Sequence, residues 1–223
     1  MFDYLTNKKK RVSVEMELES LIKAVASKAP APGGGAVSCV TGSFACALAS
    51  MAAKVTLDRT DFSKDANTAA NLSDLAHQMD RDSDSFLHFA REDEKVSARL
   101  FAAYKQKANS EDEKQARSEQ IQVTLIQATH LPLQVIALVV DDLALLENIA
   151  RLVKPSILAD VEVARDHLLT AFRGSNHNVE NNLALIKDQA SAQFLAKKQS
   201  ALLDRIEKLD QALLKEIEKR KGQ

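Results

Sequence analysis

Tryptophan is absent, and eight phenylalanines and two tyrosines leave the chain poor in flat aromatic surface. That shortage argues against a base-stacking platform for nucleic acid. An excess of one charge is lacking too. Thirty Lys and Arg stand against 31 Asp and Glu, a net charge of −1, so there is no basic footprint for phosphate backbones. Six glycines and four prolines are few for 223 residues, too few turn formers for an all-β chain. What remains is rich in Ala, Leu, Lys, Glu and Gln, the strong helix formers. The expected class is all-α. The length suits one large core and no composition shift divides it, so a single helical-bundle domain over 1–223 is expected, with 1–12 frayed and 191–223 a helical extension.

Cysteine is scarce as well. Cys39 and Cys46 lie seven positions apart on one predicted helix, about 10 Å at 1.5 Å per residue, too far for a disulfide. They read as small core residues of a reducing compartment. No apolar stretch follows the Met1–Tyr4 opening and the basic Lys8–Arg11 cluster, so no secretory signal is visible and a cytoplasmic location is expected. The five histidines form no HExxH pair, and only Asp74-Leu-Ala-His77 approaches a di-iron spacing. Neither a metal nor a tightly bound cofactor is expected.

Against this sparse background, Pro30-Ala-Pro-Gly-Gly-Gly35 concentrates half of the glycines and half of the prolines in six residues. It precedes an uncharged run of 18 residues, Ala36–Ala53. A side-chain-poor loop at a helix N-terminus leaves backbone N–H groups free for a ligand, or else marks a tight packing corner. The run reaches the lower edge of a membrane span in length. With Gly42, four Ser or Thr residues and many alanines, it reads better as the central helix of a soluble bundle.

The rest of the chain is helical in pattern. Leu18, Leu21, Ile22 and Val25 give a first amphipathic helix over 14–29, and a second runs from about Ala36 to Leu57. Beyond a polar break at Asp58–Lys64, Leu72, Leu75, Met79, Phe86 and Phe89 mark a third, over 66–90, followed by a charged helical stretch to Lys107. Ser110 with Glu113 forms a capping box and starts the next helix. Pro132 predicts a kink there before the apolar segment Leu133–Val153. A fifth helix over 157–173 is expected to end at Gly174, a natural C′ residue. Leu195, Leu202, Ile206, Leu209, Leu213 and Ile217 then suggest a coiled-coil-style arm.

Read in series, these elements carry a resemblance. Pro30–Gly35 with the following Ala47-Leu-Ala-Ser-Met51 and Thr56, Asp82-Ser-Asp-Ser-Phe86, Glu113-Lys-Gln-Ala-Arg117, Leu131-Pro132-Leu133, and Asn178-Val-Glu-Asn-Asn182-Leu183 with Ile186-Lys-Asp188 together resemble the formimidoyltetrahydrofolate cyclodeaminase/methenyltetrahydrofolate cyclohydrolase family. The resemblance covers about residues 14–190. It implies an all-helical homodimer that takes a tetrahydrofolate derivative as substrate, without nucleic acid or membrane. Cyclodeamination of 5-formimidoyltetrahydrofolate to the 5,10-methenyl form and ammonia is the first expectation. The alternatives are methenyltetrahydrofolate cyclohydrolase and a catalytically degenerate folate-binding or scaffold protein of the same fold.

Both reactions pass through a tetrahedral carbon between N5 and N10, so they need proton transfer more than a nucleophile. The resemblance then implies Asp82 as general acid and Asp160 as the carboxylate that holds the pterin edge. Pro32, Gly33, Gly34 and Gly35 would admit the ring or a tail carboxylate, and Asn178 and Asn182 would bind it from one helix face. The chain departs from the family pattern in four ways: Ala36 follows the glycines, Ala159 precedes Asp160, the asparagine expected shortly before is missing around Lys154–Leu158, and Glu180 reverses a charge. Each removes a hydrogen-bond donor from the implied site.

Overall fold

The computed structural model describes residues 14–58 and 65–222. Its described residues form six α-helices: α1 (Val14–Val25), α2 (Gly34–Leu57), α3 (Ala66–Lys105), α4 (Glu111–Leu152), α5 (Leu158–Leu183) and α6 (Gln189–Lys221), with a short 3₁₀ turn at Pro155–Ile157 before α5. The expected frayed segment 1–12, and all but Asp58 of the expected polar break 58–64, lie outside the described residues. The all-α expectation holds.

The small-residue helix α2 is central because its side chains let neighbours approach. Ala45, Cys46, Ala49, Ala52 and Ala53 are all buried, and α2 packs against α3, α4 and α5. Gly42 is required at one such contact, since a Cβ there would stand 2.6 Å from the Phe86 ring of α3. By length and composition α2 and α4 could each cross a membrane; here they are the core helices of the bundle. Both cysteines are free and buried, as their spacing predicts.

Several helix boundaries differ from the sequence expectation, each for a packing reason. The charged stretch after Ala90 continues α3 to Lys105, with Ala103 buried. The capping box at Ser110 forms as expected. From there α4 is one continuous helix with Pro132 inside it, held by the burial of Leu131, Pro132 and Leu133. Gly174 does not end α5, which runs on to Leu183. It is a close-approach position, because a Cβ there would stand 3.2 Å from that of Ser38. The C-terminal pattern is not a free arm either. α6 lies along α4 and also meets α5, burying Leu195, Ile206, Leu213 and Ile217. Polar ties fix its register: Gln199 Nε2 donates to Asn176 Oδ1 at 2.7 Å, Arg165 Nη2 to Asp210 Oδ2 at 2.8 Å, and Arg220 Nη2 to the Val153 carbonyl at 2.6 Å.

Three apolar residues of α1 face away from the core. Leu18, Ile22 and Val25 are exposed, and so are Val37, Phe44, Met51 and Val55 along one face of α2.

Candidate active site

At its N-terminus α2 has no side-chain cap, because the N-cap residue is Gly33. The fourth helical residue closes the ladder, Val37 N–H donating to the Gly33 carbonyl at 3.0 Å. The N–H of Ala36 has no intrahelical partner and donates instead to the carboxylate of Asp93 on α3. Gly35 makes this possible: its missing Cβ leaves the space that the Asp93 carboxyl group fills. Burial pushes the acidity of Asp93 down, raising its pKa. The Ala36 hydrogen bond offsets part of that, and the neighbouring Glu94 charge adds to the rise. Cys39 is close enough to sense the charge. Its thiol is pushed up to about 12, by burial first and then by Asp93.

Beside this carboxylate opens a cavity of about 180 Å³. Gly33, Gly34 and Gly35 form one wall, and Asp93, Val96, Ser97 and Leu100 of α3 another. Asn178 and Asn182 of α5 face in from the third side, one helical turn apart. Ala128 and Pro132 of α4 complete it. Pro132 carries no N–H, so the Ala128 carbonyl loses its i+4 donor, and both residues are part of the cavity wall. The lining therefore combines backbone N–H groups, two side-chain amides, a carboxylate and a helix carbonyl. That set can bind a flat heterocycle with alternating donors and acceptors and can move a proton at its edge.

Among the residues that the sequence singles out, the structure brings Gly33, Gly34, Gly35, Asn178 and Asn182 to this one cavity. Pro32 lies in the preceding loop, half-buried and joined to Ala31 by a cis peptide, and it is Pro30 that contributes to the wall. Within the chain, Asp82 and Asp160 do not reach the cavity. Asp82 precedes Asp93 by eleven residues on α3, about 16 Å along the axis, and Asp160 precedes Asn178 by eighteen on α5, about 27 Å. Asp160 is in the first turn of α5 and half-buried.

Asp82 belongs to a second, buried cluster. It is 7% exposed and accepts from Gln78 Nε2 at 3.0 and 2.9 Å. Facing it is Asp142 of α4, fully buried, whose Oδ2 accepts from Cys46 Sγ at 3.3 Å while Oδ1 has no hydrogen-bond partner. Burial first, and then the charge of Asp82, push Asp142 up to about 8. Protonated, its free oxygen becomes a donor to Asp82 and the orphan disappears.

Sequence reasoning missed Asp93 and Asp142. Asp93 repeats the face of Asp82, Phe86 and Ala90, but sits in the run Glu92-Asp93-Glu94, which reads as solvated. Asp142 follows Asp141 inside an apolar helix, and that isolated pair of acids was the available signal.

Comparisons with known proteins bear on the family and the fold. A profile of the family described as formiminotransferase-cyclodeaminase matches residues 17–201. The chain is 26% identical to the methenyltetrahydrofolate cyclohydrolase of Methylorubrum extorquens over 83% of its own length and 88% of that protein. It is 27% identical to the formimidoyltransferase-cyclodeaminase of Rattus norvegicus over 93% of this chain, but spans only 38% of that longer protein. Its fold is similar to the crystal structure of formiminotetrahydrofolate cyclodeaminase from Thermotoga maritima, with a TM-score of 0.77 at 26% identity, covering 93% of this chain and 96% of that one.

Proposed function

The chain belongs to the formiminotransferase-cyclodeaminase family, and from that premise we propose that it converts one-carbon tetrahydrofolates at the glycine-corner cavity, first as a 5-formimidoyltetrahydrofolate cyclodeaminase. The observation that supports this most is the meeting of Gly33–Gly35, Asp93, Asn178 and Asn182 around one cavity.

The chemistry asks for little else. N10 attacks the formimidoyl carbon, the carbon becomes tetrahedral, and ammonia leaves once its nitrogen is protonated. Asp93 is placed to deliver that proton, because burial keeps its protonated form populated at higher pH than an exposed aspartate. With the formimidoyl group bound as its amidinium cation, the same carboxylate then receives the proton that N10 gives up, so protons and charge balance against the methenyl cation and neutral ammonia without a resident cofactor. Asn178 and Asn182 offer two donors and an acceptor each to the pterin edge. Asp82, paired with Asp142, supports the α2–α3–α4 core behind this site. Ala36, where the family pattern has serine, buries its side chain and contributes its backbone N–H instead. Glu180 is exposed and pairs with Asn176 and His177, away from the cavity wall.

A second reading, methenyltetrahydrofolate cyclohydrolase, is favoured by the Methylorubrum relative, which this chain matches over 88% of its length. The same cavity serves it, with water attacking the methenyl carbon. Near-ultraviolet absorbance decides between the two. The methenyl product should accumulate from the formimidoyl substrate, or decay when supplied, and neither should occur in Asp93→Asn. No change with either substrate would leave the scaffold alternative.

Assembly as a homodimer fits the outer face of α2. Val37, Phe44, Met51 and Val55 form an exposed uncharged stripe, which a two-fold axis can place against itself. Sedimentation should show a dimer that Phe44→Glu converts to monomer; an unchanged dimer would move the interface elsewhere.

A further inference from the structure

One helical turn beyond the glycine-corner cavity, the same inter-helix groove opens again. Leu100 of α3 lines the first cavity and Tyr104, four residues on, lines the second. Asn182 of α5 lines the first and Leu185 the second, while α4 contributes Ala128 to one and Ile121 to the other. The two openings therefore run in line toward the end of the bundle where α3 stops and α4 begins.

Their chemistry differs. The second opening, of about 270 Å³, is walled by Tyr104, Ile121 and Leu185 and rimmed by Lys114, Arg117 and Lys187. Lys114 is partly neutralised by Glu111 at 2.6 Å. The other two have no carboxylate partner among the described residues. Arg117 Nη1 donates only to the Gln106 carbonyl at 3.1 Å, and Lys187 Nζ reaches Ser118 Oγ at 3.4 Å. Lys187 is held in place from its backbone, its N–H donating to Gln122 Oε1 at 2.7 Å while Gln122 Nε2 donates to the Leu185 carbonyl at 3.1 Å. Of the acids close in sequence, Glu113 is taken up by the α4 capping box, Asp188 caps α6, and Glu119 accepts from Gln115.

We propose that this second opening is the subsite for the aminobenzoyl-glutamate part of the substrate, with Arg117 and Lys187 binding its carboxylates and Leu100 and Tyr104 flanking the ring that spans the two cavities. The inference rests on the folate reading of the first cavity. It gives a reason for two unpaired cations at the end of a bundle whose net charge is near zero. Arg117 can hold a carboxylate through two parallel N–H donors, and Lys187 adds a point charge beside it.

The test uses the full chain with Arg117→Gln and Lys187→Gln, both at half-exposed or exposed positions that leave the core intact. With 5,10-methenyltetrahydrofolate or its formimidoyl precursor, KM should rise about five- to tenfold in each variant and more in the double variant, at unchanged kcat. The wild-type KM should climb with salt, and the double variant should lose most of that slope. Tetrahydropterin, which has no tail, should bind all forms alike. Unchanged KM in both variants of an active enzyme would overturn the subsite while leaving the proposed activity standing. If the wild type turns over neither substrate, the activity reading fails by itself, and calorimetry with p-aminobenzoyl-glutamate still tests the subsite. Binding to wild type that the double variant loses would uphold an anionic-tail site, and no binding to wild type would remove it.

Discussion

The carboxyl carbon of Asp93 lies 2.6 Å from the point where a Cβ on Gly35 would stand. The glycine is therefore not there for its backbone freedom, since no glycine of the described residues has a positive φ. It is there so that α3 can bring a carboxylate to the first turn of α2. Gly35→Ala should displace Asp93 and break its bond to Ala36. A loss of about 1–3 kcal/mol in unfolding free energy is expected, as for other overpacked sites, together with a fall in turnover. Gly34→Ala is the matched control, having nothing within 4 Å of its added Cβ. Denaturant melts should show it unchanged or up to about 1 kcal/mol more stable.

Asp93 has two duties that substitution can separate. Asparagine still accepts a hydrogen bond at a helix N-terminus about as well as aspartate but transfers no proton. Asp93→Asn should lower kcat by about 10²–10⁴ with the thermal midpoint held. Asp93→Ala should lose the cap as well, at about 1 kcal/mol. The pH dependence carries a sign. Because burial raises the Asp93 pKa, the folded protein retains a proton that the unfolded chain releases, so this group lowers stability as pH rises from its ordinary range through the raised one. Asp93→Asn should flatten that portion of a stability–pH profile.

The Asp82–Asp142 pair gives a wider window. Asp142 titrates near 8 in the folded chain against an ordinary value of 3.8. The folded state binds the extra proton, so stability falls as pH climbs between those values and levels off above them. In Asp142→Asn the amide oxygen can still accept from Cys46 and the amide nitrogen can donate to Asp82. Thermal midpoints measured from pH 5 to pH 9 should decline in the wild type and stay nearly level in the variant, which becomes the more stable of the two at pH 8. Parallel profiles for the two proteins would mean that Asp142 is ionised throughout.

These sites show what was legible in the chain. Class, the central small-residue helix and the Ser110 capping box follow from composition and local pattern, because helix propensity and caps act within a few residues. The meeting of Gly33–Gly35 with Asn178 and Asn182 was anticipated through a family resemblance, not through spacing. Asp93 was hidden because a charged run looks solvated until a neighbouring helix end needs an acceptor. Asp82 drew attention as an inward acid, and it is one, but its partner is Asp142 and not the glycine corner. A helix end was misjudged where tertiary packing overrides a local signal, at Gly174, which lies inside α5 and not at its C-terminus.

Gly174 supports the last prediction. In an isolated helix Gly→Ala would stabilise by about 0.5–1 kcal/mol, yet here the new Cβ would meet Ser38, whose Oγ donates to the Gly34 carbonyl at 2.7 Å. Gly174→Ala must turn that hydroxyl away and push α5 from α2, so it should destabilise the protein. Ser38→Ala alone loses one hydrogen bond, worth about 1 kcal/mol. In the double variant only two methyl groups meet, with 3.2 Å between their positions before relaxation, and a shift of a few tenths of an ångström accommodates them. A double-mutant cycle should then return a coupling of at least about 1 kcal/mol in the rescuing direction. Because Gly34 and Asn178 line the same cavity, Gly174→Ala should also raise KM, and the second substitution should restore part of it. Additive losses in stability would show that α5 meets α2 through other contacts, and that the carbonyl end of this corner does not depend on Ser38.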